Sequence, residues 1–167
     1  ERGVEIARKL VEDASKVERE PMELGDLLLG TNCGGSDATS GLAANPVIGV
    51  VSDKVVAAGG AVMLGETTEL IGTEDILASR AATPEVANDI YTIVHGLEQS
   101  FVEAGVDVRG ANPSPGNMKG GLSTLEEKAL GGISKGGTTP ITQVVPYGVR
   151  PTESGLTIMD TPGYDIE

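Results

Sequence analysis

The sequence is poor in aromatic rings, thiols, imidazoles and positive charge. Tryptophan is absent from its 167 residues, and Tyr91, Phe101, Tyr147 and Tyr164 are the only aromatic side chains. A core must therefore be assembled from Ala, Val, Leu and Ile. The single cysteine, Cys33, excludes an internal disulfide and any CxxC zinc site, and it points to a reducing compartment. The single histidine, His95, falls within a helical pattern, which leaves a Ser-His-Asp triad unsupported. No GxxxxGK[ST] phosphate loop is present, and neither a GxSxG elbow nor a GxGxxG follows a strand-like run. No apolar run approaches the ~20 residues that cross a bilayer. Twelve Lys and Arg face 25 Asp and Glu, a net charge of −13. Such a surface repels phosphates, and there are few rings on which bases would stack. Nucleic acid and membrane are thus excluded as expected partners. No signal-peptide pattern opens the sequence, and it does not begin with Met, so a piece of a longer protein is expected.

Apolar residues make up 39% of the chain and glycines number 24, a composition suited to a globular domain with many tight turns. Residues 4–18 carry apolar side chains at helical spacing up to Pro21, so residues 1–22 read as a linker helix. Residues 23–167 read as one α/β domain. Strands are expected within 23–32, at 60–66, and in the late runs ITQVVPYG and GLTIMD. Helices are expected after the Cys33 turn, with Pro46 near a first turn. Others are expected after Thr73, over 83–105 with Thr83 as cap and Pro84 at its first position, and after Ser123. Ser123 and Glu126 stand at capping-box spacing, and 110–121 reads as a loop. Alternating strands and helices predict a three-layer, Rossmann-like α/β domain with a mostly parallel sheet flanked by helices. No internal repeat at solenoid spacing is visible.

Ligands in such sheets gather beyond the C-terminal strand ends. Three polar segments are candidates. TNCGGSD holds Cys33, Ser36 and Asp37 where an apolar run meets a glycine turn and a helix start. Backbone amides there suit an anion and a helix start favours a thiolate, although Ser36 and Asp37 also read as simple N-caps and Cys33 as a small buried hydrophobe. GETTE offers the carboxylates of Glu66 and Glu69, oxygen donors for a hard divalent cation or else a solvated turn. The third, NPSPGNMKGGLSTLEEK, follows a stretch from Lys54 to Lys119 without a lysine; Lys119, Lys128 and Lys135 then arrive close together. Amines grouped in so acidic a chain suit an anionic substrate, and a desolvated one can act as a base.

Four stretches, CGGSDATSGLAANPVIG, GETTELIG, NPSPGNMKGGLSTLEEKALGGISKGGTTPI and MDTPGYD, together resemble the C-terminal part of the altronate/galactarate dehydratase family. That family also includes the large subunit of sulfolactate sulfo-lyase. The resemblance runs from about Leu24 to the end. Members are longer on both sides, so N- and C-terminal regions of the same protein are expected partners, and the isolated chain is expected to turn over little substrate. The resemblance implies a cytoplasmic lyase that dehydrates a small anionic sugar acid, D-altronate giving 2-keto-3-deoxygluconate. It also implies a divalent metal, commonly iron(II), with manganese(II) or magnesium(II) as alternatives. Under that implication Glu66, Glu69 and Asp37 are metal-ligand candidates. Lys119 or Lys128 binds the substrate carboxylate or takes the proton. Cys33, Ser36, Asn112 and Asn117 shape the pocket, with Cys33 close enough to touch the metal. The small GTN lead-in before the thiol departs from the bulkier one expected. Release of sulfite from sulfolactate is the rival chemistry; a noncatalytic assembly domain, or a homo-oligomer built through these loops, is the rival class.

Overall fold

The computed structural model describes residues 1–161. Four strands form one sheet: β1 (Leu28–Thr31), β2 (Ala61–Leu64), β3 (Ile141–Pro146) and β4 (Gly155–Asp160). All neighbours are parallel and the spatial order is β1-β2-β4-β3. The α/β class and the parallel sheet flanked by helices are as the sequence predicts. The strand order is not readable from sequence. β4 inserts between β2 and β3, although only residues 147–154 separate it from β3, a short connection for two parallel neighbours.

The helices are α1 (Arg2–Ala14), α2 (Asn45–Ala57), α3 (Glu74–Ala78), α4 (Pro84–Glu103), α5 (Val108–Ala111), α6 (Pro115–Lys119) and α7 (Leu125–Ile133). The predicted loop over 110–121 thus contains α6 and the end of α5. Pro115 presets the first turn of α6 and Ser114 caps it, accepting from the Asn117 amide at 3.2 Å. The capping box expected of Ser123 and Glu126 is displaced by one residue. Thr124 is the cap, accepting from the Glu127 amide at 3.1 Å, while the Ser123 amide and hydroxyl bond the Glu127 carboxylate. Glu126 is drawn away to the Arg109 guanidinium. Every residue of α1 is exposed, its apolar Val4, Ile6, Leu10 and Val11 included.

Register puts Val62, Leu64, Leu156, Ile158 and Ile141 on one sheet face. There they join Leu77 of α3, Ile90 and Val94 of α4 and Leu125 of α7 in a single core cluster. Fully burying each such aliphatic side chain contributes about 1.5–3 kcal/mol, and no aromatic ring is needed at its centre. Phe101 packs only at the margin. Because the strands run one way, β1, β2 and β4 deliver their outgoing turns to the same side of the sheet, beginning at Asn32, Gly65 and Thr161.

Candidate functional site

β2 ends in a turn that a glycine would form more easily. Glu66 has φ 67° and ψ 68°, left-handed backbone that costs a residue with a side chain about 1–3 kcal/mol. The turn is sewn to the end of β4. The Glu66 amide donates to Thr161 Oγ1, the Thr161 amide donates to Thr67 Oγ1 at 3.0 Å, and Thr67 Oγ1 donates to Asp160 Oδ1 at 2.8 Å. These bonds aim Glu66, and Glu69 one turn later, at α7.

Two lysines meet them. Lys128 Nζ lies 2.7 Å from Glu69 Oε1, with the two side chains only 8% and 12% exposed. Lys135, in a 3-10 turn after α7, puts its Nζ 3.4 Å from Glu66 Oε2. The glutamates stand three positions apart, one turn, and the lysines seven apart, two turns, so each carboxylate meets its own amine. Four charges thus form two pairs with no net charge.

The thiol turn and the asparagine loop close the space above Glu69 and Lys128. Cys33 Sγ lies 3.1 Å from Ser36 Oγ, and Asn117 Nδ2 donates to the Ser36 carbonyl at 2.8 Å. The Ala38 amide donates to the Gly120 carbonyl at 3.0 Å. Gly120 permits that approach, because a Cβ there would stand 2.7 Å from Asp37 Cβ. The result is a cleft of about 240 Å³ lined by Cys33, Glu66, Glu69, Asn112, Asn117 and Lys128, with Gly35, Ala111 and Ser114. Asn112 is buried and follows α5. Its Oδ1 accepts from Lys128 Nζ at 3.0 Å, and its Nδ2, also buried, has no partner among the described residues. A buried donor in that state is costly unless an acceptor arrives. A larger groove, about 570 Å³, lies against the opposite sheet face between Leu28, Met63, Met159 and the 147–151 loop. Among the described residues Arg150 is the only charged group lining it, so the cleft, not the larger groove, gathers the carboxylates, amine and thiol.

Six of the nine residues singled out from sequence therefore line one cleft. The other three stand apart from its lining. Ser36 supports Cys33 and Asn117 from behind. Asp37 is exposed and turned onto its own chain, its Oδ1 accepting from Thr39 Oγ1 at 2.7 Å and from the Ser40 amide at 2.9 Å. Those bonds, the Thr39 hydroxyl first, hold its carboxyl below the ordinary value. Lys119 ends α6 on the exposed surface. Lys135, grouped with the other amines in the sequence but given no role of its own there, has Glu66 as its partner. Its signal was the seven-residue interval from Lys128, which places two amines on one side of a helix. Pro162 onward, the end of the last quoted motif, lies outside the described residues.

A site built mainly from protein side chains gathers three or more acidic, thiolate or imidazole donors around one point, whereas magnesium often keeps its waters and takes one or two carboxylates. No group of three His, Cys, Asp or Glu side chains stands in that arrangement among the described residues. Glu66 and Glu69 each already face an ammonium, and Asp37 is spent on its own turn. Residues 1–161 by themselves do not fit a complete protein-ligated metal site.

A family model described as D-galactarate/altronate dehydratase, C-terminal, matches residues 24–167. The chain belongs to this family. It is 42% identical over 166 residues to altronate dehydratase of Bacillus subtilis (strain 168), covering 99% of this chain and 33% of that protein. Galactarate dehydratase (L-threo-forming) of Escherichia coli (strain K12) is 40% identical, over 98% of this chain and 31% of its own length. The (2R)-sulfolactate sulfo-lyase subunit beta of Chromohalobacter salexigens is 38% identical, over 93% of this chain and 40% of its own. The chain therefore spans about a third of the length of the dehydratases it matches. No helix among the described residues is long and apolar enough to cross a membrane.

Proposed function

We propose that this domain supplies the substrate-handling cleft of a sugar-acid dehydratase acting on altronate or galactarate. The observation that carries the reading is the meeting of Lys128, Glu69 and Asn112 at one cleft, brought there from two distant segments. The reaction removes a proton next to a carboxylate and expels the neighbouring hydroxyl. The difficult species is the enolate dianion. The Lys128 ammonium is placed to hold the substrate carboxylate and the charge that grows on it. An arriving carboxylate competes with Glu69 for that ammonium, and Asn112 Nδ2 offers a donor for one of its oxygens. Glu69, released from its partner, takes the proton from the carbon. The same carboxyl returns it to the departing hydroxyl, which leaves as water. The remaining enol tautomerises to the 2-keto acid, and Glu69 ends as it began. Cys33 and Asn117 border the sugar-acid chain. Lys119, exposed at the end of α6, does not line the cleft, and the proposed roles go to Lys128 and Glu69.

The test is 2-keto acid formation from D-altronate and from galactarate by the full-length protein. Glu69→Gln keeps the shape and a hydrogen bond to Lys128 but removes the base. Turnover is expected to fall about 10²–10⁴-fold. Wild-type turnover that survives in Glu69→Gln overturns the assignment. Sulfite release from sulfolactate, measured alongside, reports the rival leaving group.

A further inference from the structure

Lys135 is almost wholly buried, only 4% exposed, yet it does not line the cleft. Its ammonium lies 3.4 Å from the Glu66 carboxylate, which does. We propose that Lys135 is a positioning residue that fixes the Glu66 carboxylate against the cleft from behind. Its bearing on turnover rests on the dehydratase reading; its bearing on Glu66 rests on the geometry alone.

Both partners are held with more care than a solvated ion pair needs. The Lys135 carbonyl accepts from Ser52 Oγ at 2.7 Å, and Ser52 is fully buried on α2. One turn earlier, Gly49 lets α2 press onto the same 3-10 turn; a Cβ there would sit 2.2 Å from the Ser134 carbonyl oxygen. Just past the turn, Asp53 accepts from the Thr138 amide at 2.8 Å and the Thr138 hydroxyl at 2.9 Å. One face of α2 thus clamps the backbone that carries Lys135. From the other side, Glu66 is set by left-handed backbone and its bond to Thr161. Glycine would relieve that backbone, and two apolar side chains would fill the space without two buried charges. The arrangement makes sense when the carboxylate itself must stand in one place. Lys128 and Glu69 remain the groups that meet substrate; Lys135 acts only through Glu66.

The experiment uses the full-length protein carrying Lys135→Met, Lys135→Arg, Glu66→Gln or the Lys135→Met/Glu66→Gln pair. Crystal structures are compared first, independently of activity. In Lys135→Met the Glu66 carboxylate is expected to leave its wild-type position, and finding it unmoved overturns the proposal. In kinetics, Lys135→Met is expected to lower kcat about 10²-fold, the scale of a misplaced group, with KM little changed. Lys135→Arg restores part of that loss. In the Glu66→Gln background the Lys135→Met change adds less than about twofold, because both act through one carboxylate. Independent, multiplying effects overturn the proposal. Should Lys135→Met fail to fold, Lys135→Arg decides: kcat as low as in Glu66→Gln, with Glu66 still in place, refutes it. A wild-type protein that dehydrates neither sugar acid sinks the dehydratase reading, and the crystallographic comparison still judges Lys135.

Discussion

Lys128→Met separates a buried, working ion pair from an ornamental one. Methionine keeps the length of the stem and removes the ammonium. At 2.7 Å the gross attraction to Glu69 Oε1 is about 6 kcal/mol at an effective dielectric near 20, most of it offset by the cost of drying both ions. The net penalty lies in what is left behind. Glu69 stays nearly buried without its cation, and Asn112 Oδ1 loses the donor 3.0 Å away while Nδ2 is already unpartnered. Stranding one member of such a pair costs about 3–5 kcal/mol. With a urea slope of about 2 kcal/mol per molar, the midpoint should fall by roughly 2 M. Lys128→Met/Glu69→Gln removes both charges and should recover most of that loss, a coupling of about 2–3 kcal/mol. Urea titration of the four proteins with two spectroscopic probes is the assay. A single-mutant cost under about 1 kcal/mol, the value of a solvated pair, would refute the reasoning. The cleft would then be open to water, and the displacement of Glu69 by an incoming carboxylate would lose its basis.

Three further outcomes are expected. Gly49→Ala drives a methyl onto the Ser134 carbonyl and should cost about 1–3 kcal/mol, read as a lower Tm; an unchanged Tm would show that α2 does not clamp the Lys135 turn. Asp37 has a depressed carboxyl, so its cap is at full strength above the ordinary range near pH ~4 and is lost as pH falls through the lowered value. The Ser40 amide resonance should titrate with that low midpoint in the wild type and not in Asp37→Asn. Removing residues 1–22 deletes only exposed side chains and should change stability by no more than about 0.5–1 kcal/mol in urea, as expected of a linker helix.

Patterns that repeat at short range were legible in the sequence. The apolar runs at 28–31, 61–64 and 155–160 read as strands because parallel strands buried in a core need no polar alternation. Thr83 and Pro84 marked the start of α4 because cap chemistry is local: Thr83 Oγ1 accepts from the Val86 amide at 3.3 Å. The meeting of Cys33 with Glu66 and Glu69 also followed from a local rule, since outgoing turns of parallel strands share one side; Asn112, Asn117 and Lys128 come from the α5–α7 segment, which that rule does not place. Choices set by distant partners were not legible. Lys119 and Lys128 look alike in composition, and only the position of Glu69 buries one and leaves the other exposed. Ser123 and Thr124 are both good caps, and Arg109, fourteen residues or more away, settles which one serves by engaging Glu126. Asp37 fits a metal ligand and a cap equally in sequence; two short hydrogen bonds within three residues make it a cap.

The charge balance of the cleft follows from the same contact that builds it. The whole chain carries −13, and an anionic sugar acid would be repelled at long range. Within a screening length of ~8 Å, however, the nearest charges decide. Among the described residues, the two ion pairs at the cleft set two carboxylates from the β2 turn against two amines from α7 and its following turn, which cancel each other. One element contact, β2 turn against α7, therefore sets both the geometry and the neutrality. Under the proposed function, an incoming carboxylate need only exchange places with Glu69 on Lys128. The exchange keeps Lys128 paired but leaves Glu69 nearly buried without its cation, a cost of about 3–5 kcal/mol that substrate binding must offset. In that proposed mechanism it also turns a satisfied glutamate into a base at the moment substrate is present. A cleft with surplus positive charge would bind the sugar acid more tightly but leave no carboxylate to be released.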